Sequence, residues 1–345
     1  MRLNKAKCII LLMSLLIASL FLFGCQSSKA TEDGQATQEE PIIIKLAHVC
    51  SIEHPYQYAS LKFKELMEEK SNGRVKVKIY PAMQLGGERD IAEGMQAGSI
   101  DMNLLTLGVG ASFIPELNAF ALPFLFKGSE HYQKVMYGDI GKEFLEKVDM
   151  KYGFKTLHFG ASIFREPFNN VRPIEKPEDF KGLKIRLMEV PLHMDSYKAM
   201  GANPTPIAYS ELYTALQLGT VDGAENAIGT IYADKLYENA KYITRMPVVA
   251  NGVIWLYSAN NWEKLPQDIQ ELIIEVMPEV VSVLDKEYLK LEDIGIEEMK
   301  KAGIQFNKPE DFEPFIKCVK PVWDKYLAEQ PDWVKDLIPK IQTVD

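Results

Sequence analysis

Between Ile42 and Leu105 the chain alternates strand-like and helix-like runs in the order β-α-β-α-β, which leaves few ways to fold. Ile42 to Val49 is a nearly continuous apolar run, suited to a strand covered on both faces. Pro55 then opens a helix with Ala59, Phe63, Leu66 and Met67 on one face, ending near Asn72-Gly73. Val75, Val77 and Ile79 alternate with Lys76, Lys78 and Tyr80, a strand with one wetter face that Pro81 stops. Ile91 to Ala97 is a short helix closed by Gly98, and Ile100 to Leu105 is the next strand. Strands separated by helices in this way predict an α/β fold with a mostly parallel sheet and right-handed crossovers.

The plan recurs in the second half. Leu183 to Leu187 reads as a strand and Leu192 to Met200 as a helix stopped by Gly201. Ser210 reads as the N-cap of a helix that runs to Leu218 and is stopped by Gly219. Met95-Gln96-Ala97-Gly98-Ser99-Ile100-Asp101 and Leu216-Gln217-Leu218-Gly219-Thr220-Val221-Asp222 match by residue type throughout, each a helix end, a glycine stop and a strand start. Two related lobes follow from that echo. After Pro266, Ile269, Leu272, Val276, Val280, Leu284, Tyr288 and Leu291 step at three or four residues, the mark of a very long amphipathic helix. Pro278 lies within it and predicts a kink.

The first 25 residues concern address rather than fold. Arg2, Lys5 and Lys7 precede an apolar run from Ile9 to Leu22, as in a signal peptide, and Leu22-Phe23-Gly24-Cys25 resembles a bacterial lipobox with Cys25 as the lipidated residue. Residues 25–41 hold mainly Ser, Thr, Gln, Glu, Lys and Gly and read as a flexible tether. Removing residues 1–24 takes away three positive charges and no negative one, moving the formal charge from −9 to −12. Such a chain repels nucleic acid, and no basic stripe is visible. Cys50 and Cys318 would remain, with no spacing that indicates a disulfide framework or a metal site, so both read as buried thiols.

No motif for catalysis emerges: there is no Gly-x-Ser-x-Gly, His-Glu-x-x-His, Walker loop or Cys-x-x-Cys. Gly108-Val109-Gly110 lacks the third glycine of a dinucleotide loop, Phe113 standing there instead. His48, His54, His131, His158 and His193 fall on unrelated elements without ligand spacing. No enzyme, cofactor or metal is therefore expected.

Four ordered motifs carry a resemblance to a known family. They are Gly182-Leu183-Lys184-Ile185-Arg186, Met200 to Pro206, Tyr209 to Gln217, and Val221-Asp222-Gly223-Ala224-Glu225-Asn226. The sequence resembles the DctP-type extracytoplasmic solute-binding proteins of TRAP transporters, over nearly all of the chain beyond the tether. The resemblance implies a two-lobed, periplasmic-binding-protein-like α/β fold with a hinge cleft. The first lobe would hold residues 42–163 with about 252–291, and the second 164–251 with about 292–345. It further implies a carboxylate ligand, gripped by Arg186 and by the amide of Asn226. Arg165 would be a second contact unless Glu166 engages it, Tyr209 an aromatic wall, and Glu88 an acceptor for hydroxyls. Thr106 stands where the sialic-acid branch carries an acidic residue, which argues against that ligand. The expected function is the substrate-binding subunit of a TRAP transporter, taking a sugar acid such as a uronate or aldonate. The alternatives are a C4-dicarboxylate carrier and a ligand-sensing subunit. Expected partners are the small organic acid and the membrane subunits of the transporter. The chain would be a monomer held by its lipid on the outer face of the cytoplasmic membrane.

Overall fold

The computed structural model describes residues 40–345; the signal-peptide, lipobox and most of the tether assignments, Cys25 included, lie outside them. The chain runs β1 (Ile42–Ala47), α1 (Pro55–Lys70), β2 (Val75–Tyr80), α2 (Glu88–Gln96), β3 (Met102–Thr106), α3 (Leu107–Gly110), α4 (Ser129–Met136), α5 (Asp139–Val148) and β4 (Phe154–Gly160). It continues through β5 (Phe164–Asn169), β6 (Lys184–Leu187), α6 (Pro191–Ala199), β7 (Asn203–Pro206), α7 (Leu212–Gln217), β8 (Gly223–Asn226), α8 (Ile228–Ala233), β9 (Tyr242–Thr244), β10 (Val249–Ala250) and β11 (Val253–Ser258). It closes with α9 (Ala259–Trp262), α10 (Gln267–Lys301), β12 (Gln305–Asn307), α11 (Glu313–Ala328), α12 (Asp332–Lys335) and α13 (Leu337–Thr343).

Two sheets form the centres of two lobes. The first has the order β2-β1-β3-β11-β4, and the second β12-β9-β5-β8-β6-β7 with β10 beside β5. Strands β2, β1 and β3 are parallel, as are β7, β6 and β8. Strands β12 and β9 are parallel as well, while β11 runs antiparallel to both its neighbours and β5 antiparallel to β8, β9 and β10. Strands β5 and β11 carry the chain from one lobe to the other, so each enters its sheet from the cleft side and reverses direction.

The seven-residue echo has a structural counterpart. Gly98 and Gly219 adopt φ of +77° and +67°, left-handed values that stop α2 and α7 without the steric penalty of a side chain. Asp101 Oδ2 then accepts from Lys45 N at 2.7 Å and Asp222 Oδ2 from Lys184 N at 2.8 Å, so each aspartate ties its strand start to β1 or β6. The triplets β2-β1-β3 and β7-β6-β8 are thus the same unit built twice. Ser210, in contrast, caps no helix: Tyr209–Glu211 is a 3-10 turn, and α7 begins only at Leu212.

Helix α10 runs unbroken for 35 residues through Pro278. Its N-terminal half packs antiparallel on α1, with Lys62 to Glu279 at 3.0 Å and Lys70 to Glu275 at 2.6 Å flanking buried Phe63, Met67, Ile273 and Val280. Its C-terminal half meets α8, where a Cβ added at Gly295 would stand 2.8 Å from the Tyr232 side chain. One helix therefore spans both lobes. Helix α11 rests on α6 of the second lobe, but α12 and α13 return to the first, where His131 Nε2 lies 2.9 Å from the Ile341 carbonyl. Cys50 is buried and Cys318 only half-buried, both as free thiols. Among the described residues no helix is long and apolar enough to cross a membrane.

Candidate functional site

In open α/β sheets, a crevice forms outside the carboxyl ends of the strands where successive connections leave in opposite directions. Each triplet has one: between β1 and β3 in the first lobe, and between β6 and β8 in the second. The two crevices face one shared pocket of about 300 Å³. The first supplies Val49 and Cys50 beyond β1, Thr106 at the end of β3 and Glu88 at the first turn of α2. The second supplies Arg186 from β6, Met188 just beyond it, Ile207 to Tyr209 beyond β7, and Asn226 at the end of β8. All five residues singled out in the sequence, Arg186, Asn226, Arg165, Tyr209 and Glu88, border this one cavity.

Their engagements differ. Arg186 is only 1% exposed, and its Nε donates to the Ile207 carbonyl at 2.8 Å. Its Nη1 has no hydrogen-bond partner among the described residues, and no carboxylate pairs with it there. Burial, and then the like charge of Arg165, pull its pKa down to about 10. A desolvated cation with a free donor in a cavity is an anion-binding group.

Arg165 has a partner at each of its three nitrogens. Nε pairs with Glu225, Nη2 donates to the Glu225 carbonyl at 2.8 Å, and Nη1 to Asn251 Oδ1 at 2.6 Å. Burial works against its charge, but the Glu225 carboxylate outweighs that and holds its pKa above the ordinary value. Glu166, the neighbour expected to compete for Arg165, points elsewhere and pairs with Arg245 at 2.7 Å. Adjacent residues on a strand face opposite sides, so Glu166 and Arg165 cannot share a partner easily.

Asn226 is buried, and its Oδ1 accepts from Ala227 N at 2.9 Å, which orients the amide. Tyr209 donates its hydroxyl to Asp234, and its ring lies 5.9 Å from the Arg186 guanidinium carbon, a cation–π distance. Glu88 is half-buried with its carboxylate turned inward: Oε1 accepts from Thr106 N at 2.9 Å and Oε2 from the Thr106 hydroxyl at 3.1 Å. Burial pushes its pKa up against those two bonds.

Sequence reasoning missed a second group along the same wall. His54 Nε2 lies 3.1 Å from Thr230 Oγ1 and 3.4 Å from the Tyr288 hydroxyl, joining α1, α8 and α10 beside the pocket. Tyr56 and Tyr288 stand edge-on to the His54 ring at 4.7 and 5.3 Å. Burial and then the neighbouring His48 lower the His54 pKa to about 3, so the ring is neutral. No spacing in the sequence joins residues this far apart. No group of acidic, histidine and cysteine side chains suited to a metal ion occurs among the described residues.

Two similar lobes, a pocket between their strand ends and a buried unpaired arginine define a solute-binding protein. Residues 46–330 match the profile of the DctP family, described as bacterial extracellular solute-binding protein, family 7, and the chain belongs to that family. The C4-dicarboxylate-binding periplasmic protein DctP of Rhodobacter capsulatus is 30% identical over 87% of this chain and 88% of its own. A TRAP periplasmic solute-binding protein from Polaromonas, solved with D-erythronate, is 33% identical with a TM-score of 0.83, covering 88% of this chain and 99% of that one. One from Citrobacter koseri, solved with D-glucuronate, is 31% identical with a TM-score of 0.83 and the same coverage. These relatives are substrate-binding transport proteins rather than enzymes, and they work outside the cytoplasm.

Proposed function

We propose that this protein is the substrate-binding subunit of a TRAP-type transporter that captures a sugar acid, a uronate or aldonate, and delivers it unchanged to the membrane subunits. The observation that carries the reading is Arg186: a buried guanidinium that borders the cavity and whose Nη1 has no partner among the described residues suits a carboxylate, which its planar donors match and its charge holds. Asn226 and Glu88 offer polar partners for a hydroxylated body, and Tyr209 an aromatic wall. The ligands of the Polaromonas and Citrobacter proteins, an aldonate and a uronate, are of this chemistry. The dicarboxylate named for the Rhodobacter relative is the rival ligand. Lipidation at Cys25 would hold the monomer at the outer face of the cytoplasmic membrane while its lobes open and close.

A thermal-shift screen of residues 41–345 with D-glucuronate, D-erythronate and succinate tests the reading. A ligand at a hundred times its Kd stabilises the folded state by about 2.7 kcal/mol. A sugar acid that raises Tm where succinate does not supports the assignment. Succinate alone raising it selects the dicarboxylate, and no response to any acid overturns the carboxylate site.

A further inference from the structure

The charges around the pocket do not cancel evenly. Arg89, Asp90 and Glu189 border it but are exposed, where solvent screens them. In the enclosed part Arg165 is neutralised by Glu225. That leaves Arg186 and Glu88, neither of which has an ion-pair partner among the described residues. Both oxygens of Glu88 are held by a single residue, through the Thr106 backbone N–H at 2.9 Å and its hydroxyl at 3.1 Å. An ionised carboxylate has about four acceptor sites, so the two-point clamp fixes the group and still leaves acceptor capacity for the cavity.

We infer that Thr106 sets Glu88 as a fixed negative acceptor, so that the pocket selects hydroxylated acids bearing one negative charge and turns away the dianion of the same skeleton. The inference rests on the Arg186–carboxylate reading above. With one carboxylate on Arg186, a ligand hydroxyl near Glu88 donates a charge-assisted hydrogen bond. A second carboxylate in that place brings no donor and meets a like charge away from water. Thr106 acts only through Glu88 and is a positioning residue.

Isothermal titration near neutral pH with two matched pairs tests this: D-gluconate against D-glucarate, and D-erythronate against meso-tartrate, each pair differing only by a terminal CH2OH replaced by a carboxylate. Wild type is expected to bind at least one monoanion on the order of a hundredfold more tightly than its dianion. Glu88→Gln and Thr106→Val should each shrink that ratio to about tenfold or less, and Thr106→Ser, which keeps the hydroxyl, should restore it. A Thr106 role in folding alone would lower Tm without changing the ratio; melting curves for each variant separate the two. A wild-type ratio below about threefold, no binding of either monoanion, or a ratio that Glu88→Gln leaves unchanged overturns the inference. Arg186→Ala distinguishes the failures. If it abolishes binding while the wild-type ratio is flat, only the charge selection is wrong. If it binds as wild type does, the carboxylate anchor itself falls.

Discussion

Arg186→Ala separates binding from folding at this site. In the folded protein the guanidinium is 1% exposed, keeps one hydrogen bond to the Ile207 carbonyl, and has its pKa drawn down to about 10 by burial and by Arg165. Its charge is thus poorly solvated before any ligand arrives, and the unliganded scaffold gains little from it. The ligand complex is different. Truncation leaves the bound carboxylate desolvated and unpaired, at a cost on the order of 2–5 kcal/mol, or roughly thirtyfold to several-thousandfold in Kd. Arg186→Lys should be nearly as harmful, because an ammonium cannot present paired planar donors. Arg186→Met keeps the apolar stem and should melt at or above the wild-type temperature without ligand, since it removes a buried charge and opens little cavity. Titration with D-glucuronate or D-erythronate, beside melting curves of the unliganded variants, reads both quantities. Arg186→Ala binding within threefold of wild type would refute the reasoning, and so would Arg186→Met unfolding the free protein.

Three further outcomes follow from the structure. Asp101→Ala and Asp222→Ala, which remove the matching ties from Lys45 N and Lys184 N, should each cost about 1–3 kcal/mol in urea unfolding, Asp101 the more because its Oδ1 also accepts from Asn261 Nδ2 at 2.7 Å; no loss at either would speak against these ties. Burial outweighs Arg245 at Glu166 and raises its pKa from 4.5 to about 7. Its neutral form therefore contributes stability that is fully present below pH 4.5 and lost as pH rises to about 7, at most roughly 3 kcal/mol. Glu166→Gln should flatten that fall in a pH series of melting temperatures, and an unchanged slope would assign it to other groups. Cys25→Ser should release the protein from membranes or leave the precursor uncleaved in a fractionation assay, whereas wild-type retention would contradict the lipobox assignment.

The sequence made the local elements legible and the distant pairings illegible. Periodicity placed α1, β2 and α10 because each depends on residues within a few turns of one another. The echo around Gly98 and Gly219 revealed the doubled unit, since a glycine stop and a following aspartate leave a local trace. Nothing near β11 signals that it will slot antiparallel between β3 and β4, strands some 150 and 100 residues earlier, because strand order is decided by packing across the whole chain. The site divides in the same way. The family motifs brought Arg186, Asn226 and Tyr209 to one cavity, yet Arg165 turned out to be held by Glu225 and Asn251, partners 60 and 86 residues away. Thr106 was informative at first only for what it is not; its grip on Glu88 needed the turn between β3 and α3 to meet the start of α2.

The place of β11 bears on how such a chain matures. Its six residues are all buried, and they sit between β3 and β4, so the first sheet remains in two pieces until residue 258 is available. The second sheet gains its edge strand only at Asn307, and α13, which completes the packing around α4 and α5, ends at Thr343. Neither lobe can therefore close as the N-terminus emerges from the ribosome. In a family whose members work outside the cytoplasm, a late central strand acts as a built-in delay, holding the first sheet open until about three-quarters of the 345 residues are in place.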